Sequence, residues 1–297
     1  MTISNLEKTY LKFIEKQETS GGRFHKKLIQ FNKFYLPFCN KLFNFYKSKK
    51  KPLLIGLAGG QGSGKSTISQ ILKIILDLKY NLNVVCFSID DFYKTASERK
   101  KMSKLIHPLF MTRGVPGTHD CNMLYKTIKI LLKKKFNITK IPKFDKSIDD
   151  RLMNKDWQKI KKKPDIIIFE GWCVGAKPQK YKDLKKPINI LEKFEDTKLT
   201  WRKKVNNELK TGYKKIFNLL DKKIYLKVPN FKYVLKWRSL QEKKLRLKSK
   251  KKTMENKQIK KFIMFYERVT KSMAKNYKNN DVIVFLDNSH KIKSIKF

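Results

Sequence analysis

The sequence predicts an α/β fold, a parallel sheet sandwiched by helices, and three observations predict it. Short, continuously apolar runs of strand length recur along the chain, at 53–58, 83–89, 165–169, 223–228 and 282–286. Stretches of helical or irregular character separate them, and strands that alternate with helices pair in parallel beneath helical layers. Between the first run and the helix-like run 68–78 lies a glycine-rich turn, Gly59-Gly60-Gln61-Gly62-Ser63-Gly64-Lys65-Ser66-Thr67.

In chain order, 5–47 reads as helical, because Leu6, Tyr10, Leu11 and Ile14 recur at helical spacing. A break is expected at Ser20-Gly21-Gly22, and a second helical run continues through Phe45. Ser48-Lys49-Lys50-Lys51-Pro52 ends this preface, which divides the chain into an N-terminal helical extension, 1–50, and a main domain, 51–297. Leu53-Leu54-Ile55-Gly56-Leu57-Ala58 then has the character of a parallel strand buried on both faces. The Lys-rich stretch 241–261 precedes Phe262-Ile263-Met264-Phe265-Tyr266 and reads either as a solvated helix or as a helical lid. No repeat of fixed period is apparent, which disfavours solenoids and propellers.

Composition narrows the function class. The 297 residues are 40% hydrophobic, enough for a sizeable core. Cys39, Cys86, Cys121 and Cys173 form no CxxC pair, so neither a zinc site nor a disulfide framework is expected, and a reducing cytoplasm fits. No stretch approaches the roughly 20 apolar residues that span a bilayer, and the N-terminus has no apolar run of signal-peptide length. A formal charge of +46 points towards nucleic acid or an anionic membrane. Yet only 8 of the 71 basic residues are Arg, and the lysines are scattered through every segment with Asn, Ile and Phe. Nucleic-acid sites concentrate basic residues on one face and favour Arg for bidentate contacts. Those four residue types share AT-rich codons, so the charge reads as nucleotide bias, with no specific nucleic-acid partner and no membrane expected. It still attracts anionic substrates, less so as salt rises.

The glycine-rich turn satisfies G-x-x-x-x-G-K-[ST] in strand–turn–helix context, the P-loop of nucleotide-binding proteins. Its backbone N–H groups face phosphate oxygens, and the helix N-terminus adds a favourable field. Residues 59–67 are therefore expected to bind ATP, with Lys65 at the β- and γ-phosphates and the Ser66 hydroxyl on Mg²⁺, which prefers hard oxygen ligands. The second run delivers Asp90-Asp91-Phe92-Tyr93 to the carboxyl end of its strand, the edge where open parallel sheets bind ligands. A carboxylate there either accepts the proton of an attacking hydroxyl or holds magnesium through water. Asp is also a preferred helix cap, a role that suits Asp91 better than Asp90. Glu170, ending 165–169, is the candidate second acid of the magnesium site. Arg113-Gly114-Val115-Pro116-Gly117-Thr118-His119-Asp120 and Ile141-Pro142-Lys143-Phe144-Asp145-Lys146-Ser147, followed by Asp149-Asp150-Arg151, are turn-rich and suit a substrate pocket. Arg113, Arg151 and Lys143 are candidates for a substrate carboxylate or phosphate, the arginines more credible because arginine is rare here. His119, between Thr118 and Asp120, and Asp91 and Tyr93 complete the candidate acceptor residues.

On these blocks the chain resembles the D-glycerate 3-kinase family. Further matches are Phe169-Glu170-Gly171-Trp172-Cys173-Val174-Gly175-Ala176-Lys177-Pro178-Gln179, Val205-Asn206-Asn207-Glu208-Leu209 and Trp237-Arg238-Ser239-Leu240-Gln241-Glu242, so the likeness covers essentially everything after residue 50. The family is similar in turn to uridine kinase, phosphoribulokinase and bacterial pantothenate kinase. The resemblance implies a P-loop NTPase-type sheet with a helical lid, ATP and Mg²⁺ as cofactors, and transfer to the hydroxyl of a small metabolite, D-glycerate first. It places Asp90 opposite that hydroxyl, Glu170 in the magnesium shell, Arg238 on the phosphates during transfer, and Leu286-Asp287-Asn288-Ser289-His290 near the adenine. Lys250-Lys251-Lys252-Thr253-Met254 departs from the family, whose members carry a glycine-containing turn there. Another small alcohol, nucleoside or pantothenate-like, is the alternative acceptor, and a nucleotide-dependent nucleic-acid-binding protein is the alternative class.

Overall fold

A computed structural model describes residues 4–18, 26–49, 51–248 and 254–297. The expected break at 20–22 and the departure at 250–253 lie outside the described residues.

The chain opens with α1 (Asn5–Gln17), whose N-terminus is closed by a reciprocal Ser4–Glu7 capping box. A helical turn over Lys27–Gln30 and a π-helical turn over Phe31–Tyr35 then lead into α2 (Leu36–Lys49). Pro37 explains the wider turn. A proline ring crowds the carbonyl four residues back, and here the Leu36 N–H reaches five residues back, to Phe31 O, which opens the helix locally. The next elements are β1 (Leu53–Gly59), α3 (Lys65–Tyr80), β2 (Val84–Ser88), α4 (Ala96–Leu105) and α5 (Cys121–Leu131). After them come β3 (Ile166–Gly171), α6 (Thr200–Lys210), β4 (Lys222–Lys227), α7 (Phe231–Lys248), α8 (Asn256–Lys275), β5 (Val282–Leu286) and β6 (Ile292–Lys296).

The sheet order is β6-β5-β4-β1-β3-β2, parallel throughout except for β6, which runs antiparallel to β5. All of β1 and β3 is buried, as their apolar runs require of central strands covered on both faces. Alternate residues serve opposite layers. Leu54, Ala58, Ile167 and Phe169 face one hydrophobic cluster with α5, α6 and α8. Leu53, Ile55, Leu57, Ile166 and Ile168 face the other, shared with α1, α2 and α3. The N-terminal helices are thus one wall of the core: Phe38, Cys39 and Leu42 are fully buried, and Tyr46 donates to Asp165 at 2.6 Å.

The chain leaves β1 for β2, inserts β3 between them, and only later adds β4 on the other side of β1. That reversal opens the crevice of a doubly wound sheet at the carboxyl end of β1. Register sets three residues level on this edge: Leu57 pairs with Glu170, and Glu170 pairs with Ser88. The P-loop, Glu170 and the Asp90 turn therefore meet there.

Candidate active site

The loop after β1 turns through Gly62 (φ 74°) and Gly64 (φ 84°), left-handed conformations that glycine adopts without Cβ strain. Gly64 caps α3, and Lys65 folds back so that Nζ donates to Gly59 O and Gly60 O, both at 3.1 Å. Both amide atoms of Gln61 and the Ser63 hydroxyl are buried without a hydrogen-bond partner. Buried polar groups are ordinarily satisfied, so their orphaning in a loop at a helix N-terminus fits a cradle for phosphate oxygens.

Beside the loop, the Ser66 hydroxyl donates to Glu170 Oε1 at 2.7 Å. Burial pushes the Glu170 carboxyl up, opposed by the Lys65 ammonium; burial lowers Lys65, opposed by Glu170 and Asp90. Each group thus offsets part of the cost of burying the other's charge. The Ser66 hydroxyl and the Glu170 carboxylate are hard oxygen donors suited to Mg²⁺. Among the described residues no cluster of three or more His, Cys, Asp or Glu forms a complete cage. Magnesium keeps waters and substrate phosphates as ligands, so two protein oxygens would suffice to hold it.

At the end of β2 the two aspartates divide their work. Ser88 Oγ accepts from Asp90 N at 3.2 Å, and Asp91 Oδ2 accepts from Ser88 N at 3.1 Å, so the Asp91 carboxylate caps the short 3₁₀ turn Ile89–Phe92. Asp90 is left to face the crevice. Its Oδ1 accepts from the Tyr93 hydroxyl at 2.8 Å and its Oδ2 from Lys146 Nζ at 2.6 Å. Burial alone pushes Asp90 up, but the Lys146 charge and hydrogen bond overcome it and hold the carboxyl well below the usual range.

Tyr93 organises the acceptor side. Its ring stacks on His119 at 4.5 Å and meets the edge of Phe144 at 5.1 Å. His119 is 2% exposed, sits 2.5 Å from the Tyr213 hydroxyl through Nδ1, and leaves Nε2 buried without a partner. Burial drives its pKa down to about 3, so the ring is neutral at ordinary pH. Arg113 lies over Phe144 at 5.5 Å and pairs with Asp149, which also pairs with Arg99 at 3.0 Å. Arg99 is fully buried and donates besides to the carbonyls of Lys94, Met111 and Asp149.

The crevice brings together 59–67, Asp90, Tyr93, Glu170, His119 and Arg113. It does not bring in every residue the sequence nominated. Arg151 donates to Tyr93 O at 2.7 Å and supports the ring from behind. Lys143 is exposed; its carbonyl accepts from Leu152 N at 2.8 Å, and its charge acts on Asp91 rather than Asp90. Arg238 pairs with Glu242, lies over Phe262 at 5.4 Å, and leaves Nη1 buried without a partner. The start of α7 rests on the P-loop: a Cβ on Gly62 would stand 2.9 Å from the Trp237 carbonyl carbon and 3.1 Å from Arg238 N. His290 Nε2 lies 2.8 Å from Gly62 O, and its ring stacks on Trp237 at 3.8 Å, so the segment after β5 also closes on the loop. Helix α8 reaches the acceptor side, where the Tyr266 hydroxyl donates to Arg113 O at 3.1 Å.

Lys146 and Arg99 were missed from sequence. Nothing in composition separates Lys146 from 62 other lysines, although it stands in the block that nominated Lys143. The rarity of arginine, applied to Arg113 and Arg151, singles out Arg99 equally well.

Residues 54–202 match the profile of the phosphoribulokinase / uridine kinase family. An uncharacterized kinase of Schizosaccharomyces pombe is 33% identical over 229 residues, 74% of this chain and 80% of that protein. The chloroplastic D-glycerate 3-kinase of Arabidopsis thaliana is 28% identical over 222 residues, 69% of this chain but 46% of that protein. Among solved structures, D-glycerate 3-kinase from Cryptococcus neoformans superposes with a TM-score of 0.73 over 88% of this chain and 98% of that one, at 22% identity, a likeness of fold.

Proposed function

The chain belongs to the phosphoribulokinase / uridine kinase family of P-loop kinases, and we propose that it transfers the γ-phosphoryl of Mg·ATP to the hydroxyl of D-glycerate, giving 3-phosphoglycerate and ADP. The observation that carries the choice of acceptor is a surplus of positive charge beside Asp90. Two guanidiniums, Arg99 and Arg113, share the single Asp149 carboxylate. Arg99 spends its remaining donors on carbonyls, whereas Arg113 stacks on the same Phe144 ring that meets Tyr93, the partner of Asp90. An acceptor with a carboxylate a few atoms from its hydroxyl satisfies both ends: the anion on Arg113, the hydroxyl on Asp90. The similarity to a named D-glycerate 3-kinase over two-thirds of the chain supports the same reading.

The residues then divide the reaction. The loop 59–67 holds the phosphates, with the Lys65 ammonium released from Gly59 and Gly60 onto the phosphate oxygens. Ser66 and Glu170 would hold magnesium, which, when bound, neutralises phosphate charge. Asp90 aims the acceptor hydroxyl and takes its proton as the new O–P bond forms and the bond from γ-phosphorus to the ADP oxygen breaks. Arg238, whose buried Nη1 has no partner, supplies a donor from the lid side. Trp237 and His290 keep the lid base on the loop. The four free cysteines support a reducing compartment, the cytoplasm, as the place of action, and among the described residues no helix is long and apolar enough to cross a membrane.

Arg113→Met tests the acceptor assignment. Loss of one charge-assisted contact is worth about 1.5–3 kcal/mol, so KM for D-glycerate rises by roughly ten- to a hundredfold while KM for ATP stays within twofold. An unchanged KM for glycerate removes Arg113, and the argument for an anionic acceptor, from the account.

A further inference from the structure

Lys146 sits at the tip of a short antiparallel hairpin in which Phe144 pairs with Arg151 and Asp145 with Asp150. Its side chain is 60% exposed, yet Nζ is 2.6 Å from Asp90 Oδ2. Fixing an exposed lysine costs up to about 2 kcal/mol of rotamer entropy, so a surface lysine holds one position only where its backbone is anchored. Here the anchoring is extensive. Phe144 packs edge-on against Tyr93, Arg151 donates to the Tyr93 carbonyl, and Asp149 is held by the fully buried Arg99. The same Tyr93 donates its hydroxyl to the other Asp90 oxygen. One residue therefore fixes both Asp90 and the hairpin that carries the ammonium onto it.

We propose that Lys146 is a positioning residue for phosphoryl transfer: it keeps Asp90 aimed and ionised until the acceptor hydroxyl takes its place. The proposal rests on the kinase reading of the site. As the acceptor binds, its O–H replaces the Lys146 N–H on Asp90 Oδ2, and its proton passes to Asp90 as the oxygen is phosphorylated.

The other groups facing Asp90 do not substitute for Lys146. Lys65 and Arg113 are the other cations, but Lys65 turns to phosphate oxygens when ATP binds, and Arg113 is paired with Asp149 and reserved for the acceptor anion. His119 is neutral. Glu170 and Asp91 are acids that oppose ionisation of Asp90, as does its burial. Tyr93, Tyr266 and Cys173, all pushed up by burial, stay protonated. With Lys146 removed, burial, the largest influence on Asp90, is left opposed chiefly by the Tyr93 hydrogen bond, and the balance moves towards the protonated carboxyl, which cannot accept a proton. Activity then falls as pH falls, where the wild type is flat.

Lys146→Met and Lys146→Arg test this in two ways on the full chain. Carboxyl ¹³C NMR titration of aspartate-labelled protein, with Asp90→Asn for assignment, needs no acceptor. The Asp90 midpoint is expected to rise by at least one pH unit in Lys146→Met and to stay low in Lys146→Arg. In the second measurement, kcat/KM of Lys146→Met falls about tenfold per pH unit below its own Asp90 midpoint, while the wild type and Lys146→Arg stay flat over that range. Lys146→Arg should melt with the wild type, and Lys146→Met somewhat lower, because an Asp90 carboxyl whose folded midpoint rises contributes less stability at neutral pH. An unmoved Asp90 midpoint, or a pH profile of Lys146→Met that overlays the wild type, overturns the proposal. A moved midpoint in a protein that phosphorylates no acceptor overturns the kinase reading beneath it instead.

Discussion

Gly62→Ala separates two contributions that the P-loop structure keeps distinct. Both Gly62 and Gly64 have positive φ, so alanine at either incurs a left-handed penalty of about 1–2 kcal/mol, offset by about 0.4–1 kcal/mol from the stiffer unfolded chain. Around Gly64 a Cβ meets nothing within 4 Å. Around Gly62 it meets the Trp237 backbone and Cβ at 2.9 Å and Arg238 N at 3.1 Å, helix backbone that cannot swing aside. Overpacking of this kind adds about 1–3 kcal/mol. Gly64→Ala should therefore lose about 1 kcal/mol, and Gly62→Ala about 2–4 kcal/mol. Urea unfolding of the nucleotide-free proteins, followed by tryptophan fluorescence because Trp237 is at the contact, measures both. Equal losses, or a larger loss in Gly64→Ala, would refute the inference that α7 is seated on the loop.

Two further outcomes follow from buried charge. Glu192 is fully buried and accepts from Arg268 Nε at 2.7 Å, Arg268 Nη2 at 2.6 Å and Ile188 N at 2.9 Å, tying α8 to the body; Glu192→Ala strands that guanidinium and should cost about 3–5 kcal/mol in urea unfolding, against under 1 kcal/mol if the network is dispensable. His119, with a folded pKa of about 3 against 6.5 unfolded, contributes stability that is complete above about pH 6.5 and is lost as pH falls towards 3, at about 1.4 kcal/mol per unit. His119→Gln should flatten the acid side of the stability profile, and an unchanged slope would show that the ring protonates in place.

The main-sheet strands expected from sequence are all present because buried parallel strands leave an unmistakable trace: Leu53–Gly59 and Ile166–Gly171 are apolar on both faces, with no solvent side to interrupt the run. The last strand, Ile292–Lys296, left none, since it is an edge strand with Lys293, Ser294 and Lys296 exposed and only Ile292 buried. The hairpins at Thr139–Ile141/Gln158–Ile160 and Phe144–Asp145/Asp150–Arg151 are two or three residues a side, too short for a periodic signal, and the second is held by Tyr93 rather than by its own pairing. In the site, the P-loop was legible because a nine-residue motif encodes a backbone path. Asp90 and Asp91 were legible as a pair, and Asp91 takes the capping role expected of it, its carboxylate turned towards Ser88 N. Lys146 was illegible for a physical reason: what distinguishes it is a hairpin tip that meets Asp90 56 positions away in sequence. Its motif, the same that nominated Lys143, specifies the turn but not which lysine points inward.

The most direct test of the central claim is acceptor-dependent ADP release by the purified protein with Mg·ATP, with D-glycerate set against L-glycerate, uridine and pantothenate. The account predicts stimulation by D-glycerate above the others, with 3-phosphoglycerate formed in step with ADP and both lost in Lys65→Ala. Stimulation by uridine or pantothenate with none by D-glycerate would contradict the acceptor assignment, and silence with every acceptor would contradict the reading of this crevice as a small-molecule kinase site.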